Sequence, residues 1–492
     1  MGMAGLPGNK TLSPPKHHIG GEWVDPAGKA TIPVEDPSTG ETIGEIAAGD
    51  AADIDAAVGA ARDAMDKARR SKWSAGDRQE ALIALSRAIE AHAEEFAALE
   101  TLDAGKPIFH SSRVDVPGAI TALRYFAGWA TKLTGETMEL STPGNWNAYT
   151  RREPVGVAGQ IIPWNYPLMG AACKIGPALA AGCAVVLKPA EQTSISALRL
   201  AELAAQCGVP AGFLNVVTGR GEEAGAALVE HPGVAKISFT GSTATGRRIA
   251  ESCGRQIKRC TMELGGKSPV IVMPDADLDA AAQGISMSVF FNTGQSCSAG
   301  SRLLVHASIA STLLEKIARI GASMRMGPAA DPDTRIGPVV SQVQQDRVTG
   351  FIEGALHAGG TLAAGGRAVE GPGYFVEPTI LADVAPGMAA VEEEIFGPVL
   401  CAMPFETSDL DEIAALANDT RYGLTAYVWT SSLSTALGMI DRLRAGTVRI
   451  NSGGGSDFAM PVGGMKQSGF GRENGRVGVE AYTELKSVTM VY

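Results

Sequence analysis

Of the seven cysteines in this 492-residue sequence, only Cys297 has neighbours that suggest chemistry. It sits in the glycine-flanked loop GQSCSAG, directly after an apolar helical stretch, where a thiolate could serve as a nucleophile. For Cys173, Cys183, Cys207, Cys253, Cys260 and Cys401 the plainer account is a small, buried, apolar side chain. A second kind of chemistry is suggested by FTGSTATG at 239–246. There a strand ends and a glycine turn opens a helix, so backbone N–H groups and the Ser242 hydroxyl could hold a pyrophosphate. A plain strand-to-helix turn capped by serine fits the same residues equally well. LKPAEQT at 187–193 sets Lys188 and Glu191 just behind the run AVVL. A carboxylate there can accept both ribose hydroxyls of an adenosine and would repel a ribose phosphate, which favours NAD over NADP; a solvated surface turn is the alternative. Neither standard phosphate motif is present. GRGEEAG at 219–225 has one residue too many for GxGxxG, and Arg247 and Arg248 stand where a Walker loop built on Gly241 and Gly246 needs Lys and then Ser or Thr.

These residues need elements to position them. Stretches 51–70 and 78–100 place apolar residues at helical spacing with charges between them, and are expected to be amphipathic helices. From about Val155 short β-branched runs alternate with helical ones: VGVAGQII, AACKIGPALAAG, AVVL, SALRLAELAAQCG, FLNVV, VAKISF. That alternation predicts βαβ units around a parallel sheet, whose ligands sit outside the carboxyl ends of the strands. A second α/β series starts near Lys267 with SPVIVM, continues through the helix DLDAAAQGISMSVFF and the loop NTGQSCSAG, and reaches the strand SRLLVH. The segment 131–151 and the final TELKSVTMVY are expected to be extended arms, with their pairing left open.

Bulk properties narrow the function classes. The length implies two or three domains with a sizeable core. Lysine and arginine number 42 against 53 acidic residues, a net charge of −11, so nucleic acid is not an expected partner. The start lacks an apolar stretch of signal-sequence length, and Leu6 stands where a myristoylation signal needs Ser or Thr. With no apolar run of membrane-spanning length, a soluble cytoplasmic protein without membrane partners is expected. The odd, irregularly spaced cysteines read as reduced thiols. The scattered histidines offer no metal-ligand spacing, so no metal site is expected, and His17 and His18 are assigned to a mobile terminus.

TLDAGKP, IIPWNYP, LKPAEQT, FTGS, MELGGKSP, FFNTGQSCSAGSR, EEIFGPV and PVGGMKQSGFGRE follow one another along the chain. In these motifs and their order the sequence, from about residue 18 to its end, resembles the aldehyde dehydrogenase superfamily. The resemblance implies an α/β fold in three parts. These are a Rossmann-like NAD-binding domain over 17–130 and 152–262, a catalytic domain over 263–466, and a β oligomerisation arm from 131–151 and 480–492. It implies NAD-dependent oxidation of a small-molecule aldehyde to a carboxylic acid, with NADP as the weaker cofactor alternative. A homotetramer is expected, with a homodimer as the other possibility.

The resemblance also assigns roles. Cys297 is the nucleophile: a free aldehyde donates hydride poorly, whereas a thiohemiacetal oxyanion expels it readily and leaves a thioester that water can attack. The Asn165 side-chain amide and the Cys297 N–H receive the oxyanion. By itself Asn165 would read as a turn residue. Glu263, 34 residues before the thiol, is the base that activates water, although alone it would read as an exposed glutamate. Lys174 and Glu473 match a proton path and a secondary water activator, with structural ion pairs as the alternative. Beside Lys188, Glu191, Phe239, Gly241, Ser242 and Gly246, the cofactor site takes in Ile161, Ile162, Pro163, Trp164 and Leu264. Glu394 is matched to the nicotinamide ribose and Phe396 to the ring, though Phe396 could be plain core.

The substrate funnel matches Tyr166, Met169, Gly170, Cys173, Phe291, Ser296, Ser298, Phe458 and Val462. Small residues at Gly170, Cys173 and Val462 suggest a wide apolar tunnel for aromatic or medium-chain aldehydes. Betaine aldehyde and aminoaldehydes are the runner-up, because an aromatic cage for a cation is only partly furnished. A CoA-acylating relative is disfavoured by the presence of Glu263. A structural or binding member of the family is disfavoured by the joint presence of Cys297, Glu263 and Asn165.

Overall fold

The computed structural model describes residues 15–71, 73–455 and 457–492; the reading of the leader, with Leu6, lies outside the described residues. Five runs of small and β-branched residues form parallel strands: β1 (Val157–Ile161), β2 (Ala184–Lys188), β3 (Leu214–Val216), β4 (Lys236–Thr240) and β5 (Arg259–Glu263). Every residue of β1 and β2 is buried, as required of parallel strands covered on both faces. The sheet order is Gly469–Phe470, β5, β4, β1, β2, β3, His17–Ile19, Glu22–Val24. The chain therefore starts in the middle at β1, moves outward through β3, then crosses back to place β4 on the other side. The crevice between the ends of β1 and β4 is the topological switch point where ligands of such sheets bind.

The expected alternation is borne out, with helices Ile195–Gln206, α3 (Pro167–Ala181) and α4 (Thr243–Arg255) between the strands. Two readings need correction. The stretch 78–100 is two helices, Ala75–Ala91 and α1 (Ala93–Ala104), with His92 between them. The first opens on a capping box in which Ser74 accepts from the Asp77 N–H, a start signal that apolar periodicity overlooks. His17 and His18 do not belong to a mobile terminus: both are buried in a strand that pairs with β3. His17 Nδ1 accepts the Thr218 N–H at 3.3 Å, and burial holds its imidazole below its ordinary pKa. A three-residue strand is too short to show a period, so nothing local announced it. The hairpin Thr31–Asp36 and Glu41–Ala47 likewise went unanticipated.

A short linker, 264–268, joins β5 to a second sheet. Its parallel strands are β6 (Pro269–Val272), β7 (Arg302–His306), β8 (Thr379–Ala382), β9 (Val399–Phe405), β10 (Thr425–Trp429) and β11 (Thr447–Ile450), ordered β8, β9, β7, β6, β10, β11 with Thr361–Ala364 antiparallel at the β8 edge. Helices α5 (Leu278–Phe290) and α6 (Gln342–His357) belong to this half. Because β5 leads straight into β6, the carboxyl ends of the first sheet face the amino ends of the second, and the Cys297 loop just before β7 lies in that junction. The two extended arms pair with each other: Trp146–Pro154 and Thr483–Val491 run antiparallel over nine residues. Among the described residues no helix is long and apolar enough to cross a membrane.

Helix α2 (Val116–Ala127) braces α3 from outside the first sheet. Phe126 is fully buried, and a Cβ on Gly176 of α3 would come within 2.8 Å of its ring. Phe126→Ala is expected to cost about 3–5 kcal/mol of stability in equilibrium denaturant unfolding, since the ring leaves a cavity that the tight α2–α3 seam cannot close. A loss below about 1 kcal/mol would show that the seam collapses freely.

Candidate active site

The nucleophile loop is held in a conformation that the chain would not adopt alone. After α5, Asn292, Thr293 and Gly294 have φ of 51°, 54° and 72°, a left-handed run costly for the two residues that carry a Cβ. Tertiary bonds hold it. Asn292 Nδ2 donates to the Asn165 carbonyl at 3.1 Å and to the Gln295 carbonyl at 3.2 Å, and Thr293 Oγ1 donates to the Gly337 carbonyl at 3.0 Å. Gln295 Oε1 accepts the Val340 N–H at 2.9 Å. Beyond the thiol, the Tyr427 hydroxyl donates to the Ser298 carbonyl at 2.8 Å. Only glycine at 266 lets the loop settle against the linker, because a Cβ there would lie 2.2 Å from the Cys297 carbonyl oxygen.

Asn165 is buried, and its Nδ2 donates to the Gln295 carbonyl at 3.0 Å. One amide hydrogen thus fixes the side chain beside the loop, and the second is left for another acceptor. Glu263 is the last residue of β5, its carbonyl accepting the Gly241 N–H at 3.0 Å. Its carboxyl is buried, with Oε1 unpartnered, and is held well above the usual carboxylate range by burial and by the charge of Glu473. The Cys297 thiol is pushed up to about 12 by burial, with Glu394 and Glu263 adding to the shift. The sequence suggested a thiolate at neutral pH; burial and the two neighbouring carboxylates favour the thiol instead.

Lys174 of α3 donates to Glu473, and at 3.0 Å to the Ser238 hydroxyl, which itself donates to Glu473 at 2.9 Å. Glu473 is fixed by reciprocal backbone bonds of 2.8 Å with Val462. Gln160 Nε2 donates to the Lys174 carbonyl at 2.6 Å and to the Tyr482 hydroxyl at 3.0 Å. Sequence reasoning missed Asn292, Gln295, Ser238, Gln160 and Tyr482. Asn292 and Gln295 lay inside a quoted motif, and a glutamine in the otherwise apolar β1 was itself a signal of buried polar contacts.

The expected cofactor residues gather at the switch point. Ile161 ends β1, and Ile162, Pro163 and Trp164 follow it; Phe239 stands near the end of β4. Gly241 leads into α4, and Gly246 is buried against Leu264. Ser242 caps α4 by accepting the Thr245 N–H at 3.2 Å, which leaves earlier N–H groups of the first turn open to anionic oxygens. Lys188, at the end of β2, lies 3.2 Å from Glu191, and burial lowers the amine's pKa. Glu394 Oε1 accepts the Gly266 N–H at 2.9 Å, and burial moves its carboxyl up to about 7. Phe396, at φ 61°, meets Trp164 edge-on at 5.2 Å, and Gln344 of α6 donates to its carbonyl at 2.8 Å. Donors at the helix head, a ribose-matching carboxylate and a second carboxylate beside the thiol loop make a set that fits a dinucleotide.

The expected substrate positions are mostly half-buried. Met169 fills the space over Gly118, where a Cβ would lie 2.7 Å from its sulfur. Phe291 stacks on His110 with centroids 4.4 Å apart, and Ser296 and Ser298 pair across the thiol at 3.2 Å. Cys173 and Phe458 pack against the core of the first sheet, and burial pushes the Cys173 thiol up to about 12. Gly170 borders Ile162, and Tyr166 precedes the first residue of α3.

The sequence profile described as the aldehyde dehydrogenase family matches residues 23–488. The phenylacetaldehyde dehydrogenase of Pseudomonas fluorescens is 46% identical over 482 residues, covering 96% of this chain and 95% of that protein. A solved NAD+ complex of an aldehyde dehydrogenase from Bacillus cereus superposes with a TM-score of 0.95 at 43% identity, covering 97% of each chain. An alanine-for-cysteine variant of the P. syringae indole-3-acetaldehyde dehydrogenase, in complex with NAD+ and IAA, gives 0.95 at 41% identity over 98% of each chain. With the family profile spanning nearly the whole chain and relatives this similar at full length, the chain belongs to the aldehyde dehydrogenase family.

Proposed function

We propose that this protein is a cytoplasmic NAD-dependent enzyme that oxidises aromatic or medium-chain apolar aldehydes to carboxylic acids. The observation that carries the reading is the convergence of a half-buried cysteine, a fixed amide and a buried carboxylate at the junction of the two sheets. Glu263 takes the proton of Cys297 as Sγ bonds to the aldehyde carbon, and the carbonyl oxygen becomes an oxyanion held by Asn165 Nδ2 and the Cys297 N–H. The α4 head, Glu191 and Glu394 would hold NAD, which would supply the acceptor for the hydride that leaves the thiohemiacetal. The thioester remains on Cys297. Glu263 passes its first proton toward Glu473, Lys174 and Ser238, then takes one from water; hydroxide adds, the C–S bond breaks, and the acid departs.

Glu191 beside Lys188 supports NAD over NADP, because a ribose phosphate would meet the carboxylate's charge. The half-buried Met169, Phe291 and Phe458, with small Gly170 and Cys173, support an apolar aldehyde, and relatives that act on phenylacetaldehyde and indole-3-acetaldehyde agree. Assembly into a homotetramer, or a homodimer, is supported by the exposed apolar Leu485 and Val491 on the arm strand.

Cys297→Ala is expected to abolish NADH formation, whereas Glu263→Gln should slow both the first turnover, in which Glu263 takes the thiol proton, and the later ones, in which it takes a proton from water, by roughly 100-fold. Stopped-flow absorbance separates the two phases, and a Glu263→Gln protein at full steady-state rate would remove Glu263 from its role. Initial rates with phenylacetaldehyde and hexanal should exceed those with betaine aldehyde; the reverse order would mean a cation site. Glu191→Ala is expected to raise NADP use relative to NAD, and an unchanged cofactor ratio would acquit Glu191 as selector. In cofactor-free protein, inactivation by iodoacetamide should climb about tenfold per pH unit between about pH 7.5 and 9.5, since thiolate accumulates only as pH approaches the raised pKa. A plateau in that range would show the thiolate already formed at rest.

A further inference from the structure

The interior beneath the Asn165–Tyr166 turn holds four ionisable side chains, none used by the chemistry above. Glu100, Asp103, Lys106 and Asp115 are each no more than 1% exposed. Taking charges out of water is expensive, and apolar residues of similar volume often serve stability as well or better, so the cluster calls for an account other than stability.

Two routes lead from it to the site. Glu100 Oε1 accepts the Leu168 N–H at 2.9 Å and the Ser196 hydroxyl at 2.6 Å, which holds the first turn of α3. Lys106 donates to Asp115, and its Nζ lies 4.0 Å from the centroid of the Tyr166 ring, a cation–π contact away from solvent. Asp115 closes a π-helical turn, Ser111–Asp115, just before α2; such local widenings recur at functional places. Asn165, next to Tyr166 in the chain, donates Nδ2 to the Gln295 carbonyl at 3.0 Å and accepts Asn292 Nδ2 at its own carbonyl at 3.1 Å, so the turn that carries the Tyr166 ring is bonded to the Cys297 loop on both sides. The TLDAGKP motif thereby gains a task, since it carries both Asp103 and Lys106.

We propose that Lys106, held by Asp115, is a positioning residue for Cys297: it fixes the Tyr166 ring, and through the Asn165–Tyr166 turn, bonded to Gln295 and Asn292, it sets the thiol loop opposite the Asn165 amide. The proposal rests on the reading of Cys297 as nucleophile. Lys106→Met, Tyr166→Leu and their double variant are to be compared with the parent for kcat, aldehyde KM and the single-turnover rate of NADH formation. Each single substitution is expected to slow single turnover roughly 10- to 100-fold, the scale of a misplaced reacting group, with KM shifted far less. The double variant should lose little more than the worse single, because both substitutions break one chain of contacts. Lys106→Met with an unchanged single-turnover rate, or losses that multiply in the double variant, would overturn the proposal.

Lys106→Met leaves Asp115 buried and unpaired, so Lys106→Met/Asp115→Leu, which removes both charges, guards against simple misfolding. That folded protein should show the same loss, and a parental rate in it would also overturn the proposal. Activity retained by Cys297→Ala would sink the underlying reading, whereas a dead Cys297→Ala beside a fully active Lys106→Met would sink this inference alone.

Discussion

Desolvation at the seam between the two largely parallel sheets governs the properties of the site. Cys297, Glu263 and Glu394 all give onto that seam, and burial is the largest influence on the proton affinity of each. In water a thiol and two carboxylates would ionise independently. Here burial disfavours every charged form, and each carboxylate's charge raises the cost of ionising the thiol. A low dielectric there would also make a fixed amide dipole worth more to an oxyanion than it would be in solvent.

The same seam has to be rigid. The left-handed backbone at Asn292 and Thr293 persists because Asn165, Gln295, Gly337 and Val340, drawn from three separate parts of the chain, all bond to that stretch or to one another across it. The linker contributes by absence, since Gly266 has no Cβ to push the Cys297 carbonyl away. On the far side, the Gly266 N–H holds Glu394, so one five-residue connection touches the thiol loop and the second carboxylate together.

Much of the architecture could be read from the chain because it depends on local pattern. Apolar runs alternating with helical periods announced the parallel strands from Val157 to Val305, and a glycine turn before a capped helix marked the head of α4. Where local pattern was short or ambiguous the reading failed. His17 and His18 looked like tail residues because the strand that buries them is three residues long and owes its existence to β3. The break at His92 was hidden because apolar spacing continues across it. The paired arms were legible as extended segments, but their partner choice is a long-range matter that composition does not encode.

For the site, the sequence by itself determined which residue types were on offer: one thiol in a glycine-flanked loop, a carboxylate after a strand, an asparagine in a proline turn, and a second carboxylate just behind another strand. Motif order tied them to a family. Their proximity was decided by tertiary structure, because Asn165, Glu263 and Cys297 come from segments far apart in the chain and meet only where one sheet's carboxyl ends face the other's amino ends. Protonation was decided there too. A cysteine in a loop reads as a thiolate in waiting, yet desolvation and two neighbouring carboxylates keep it a thiol, and no local pattern encodes the depth of a pocket or the charge across it.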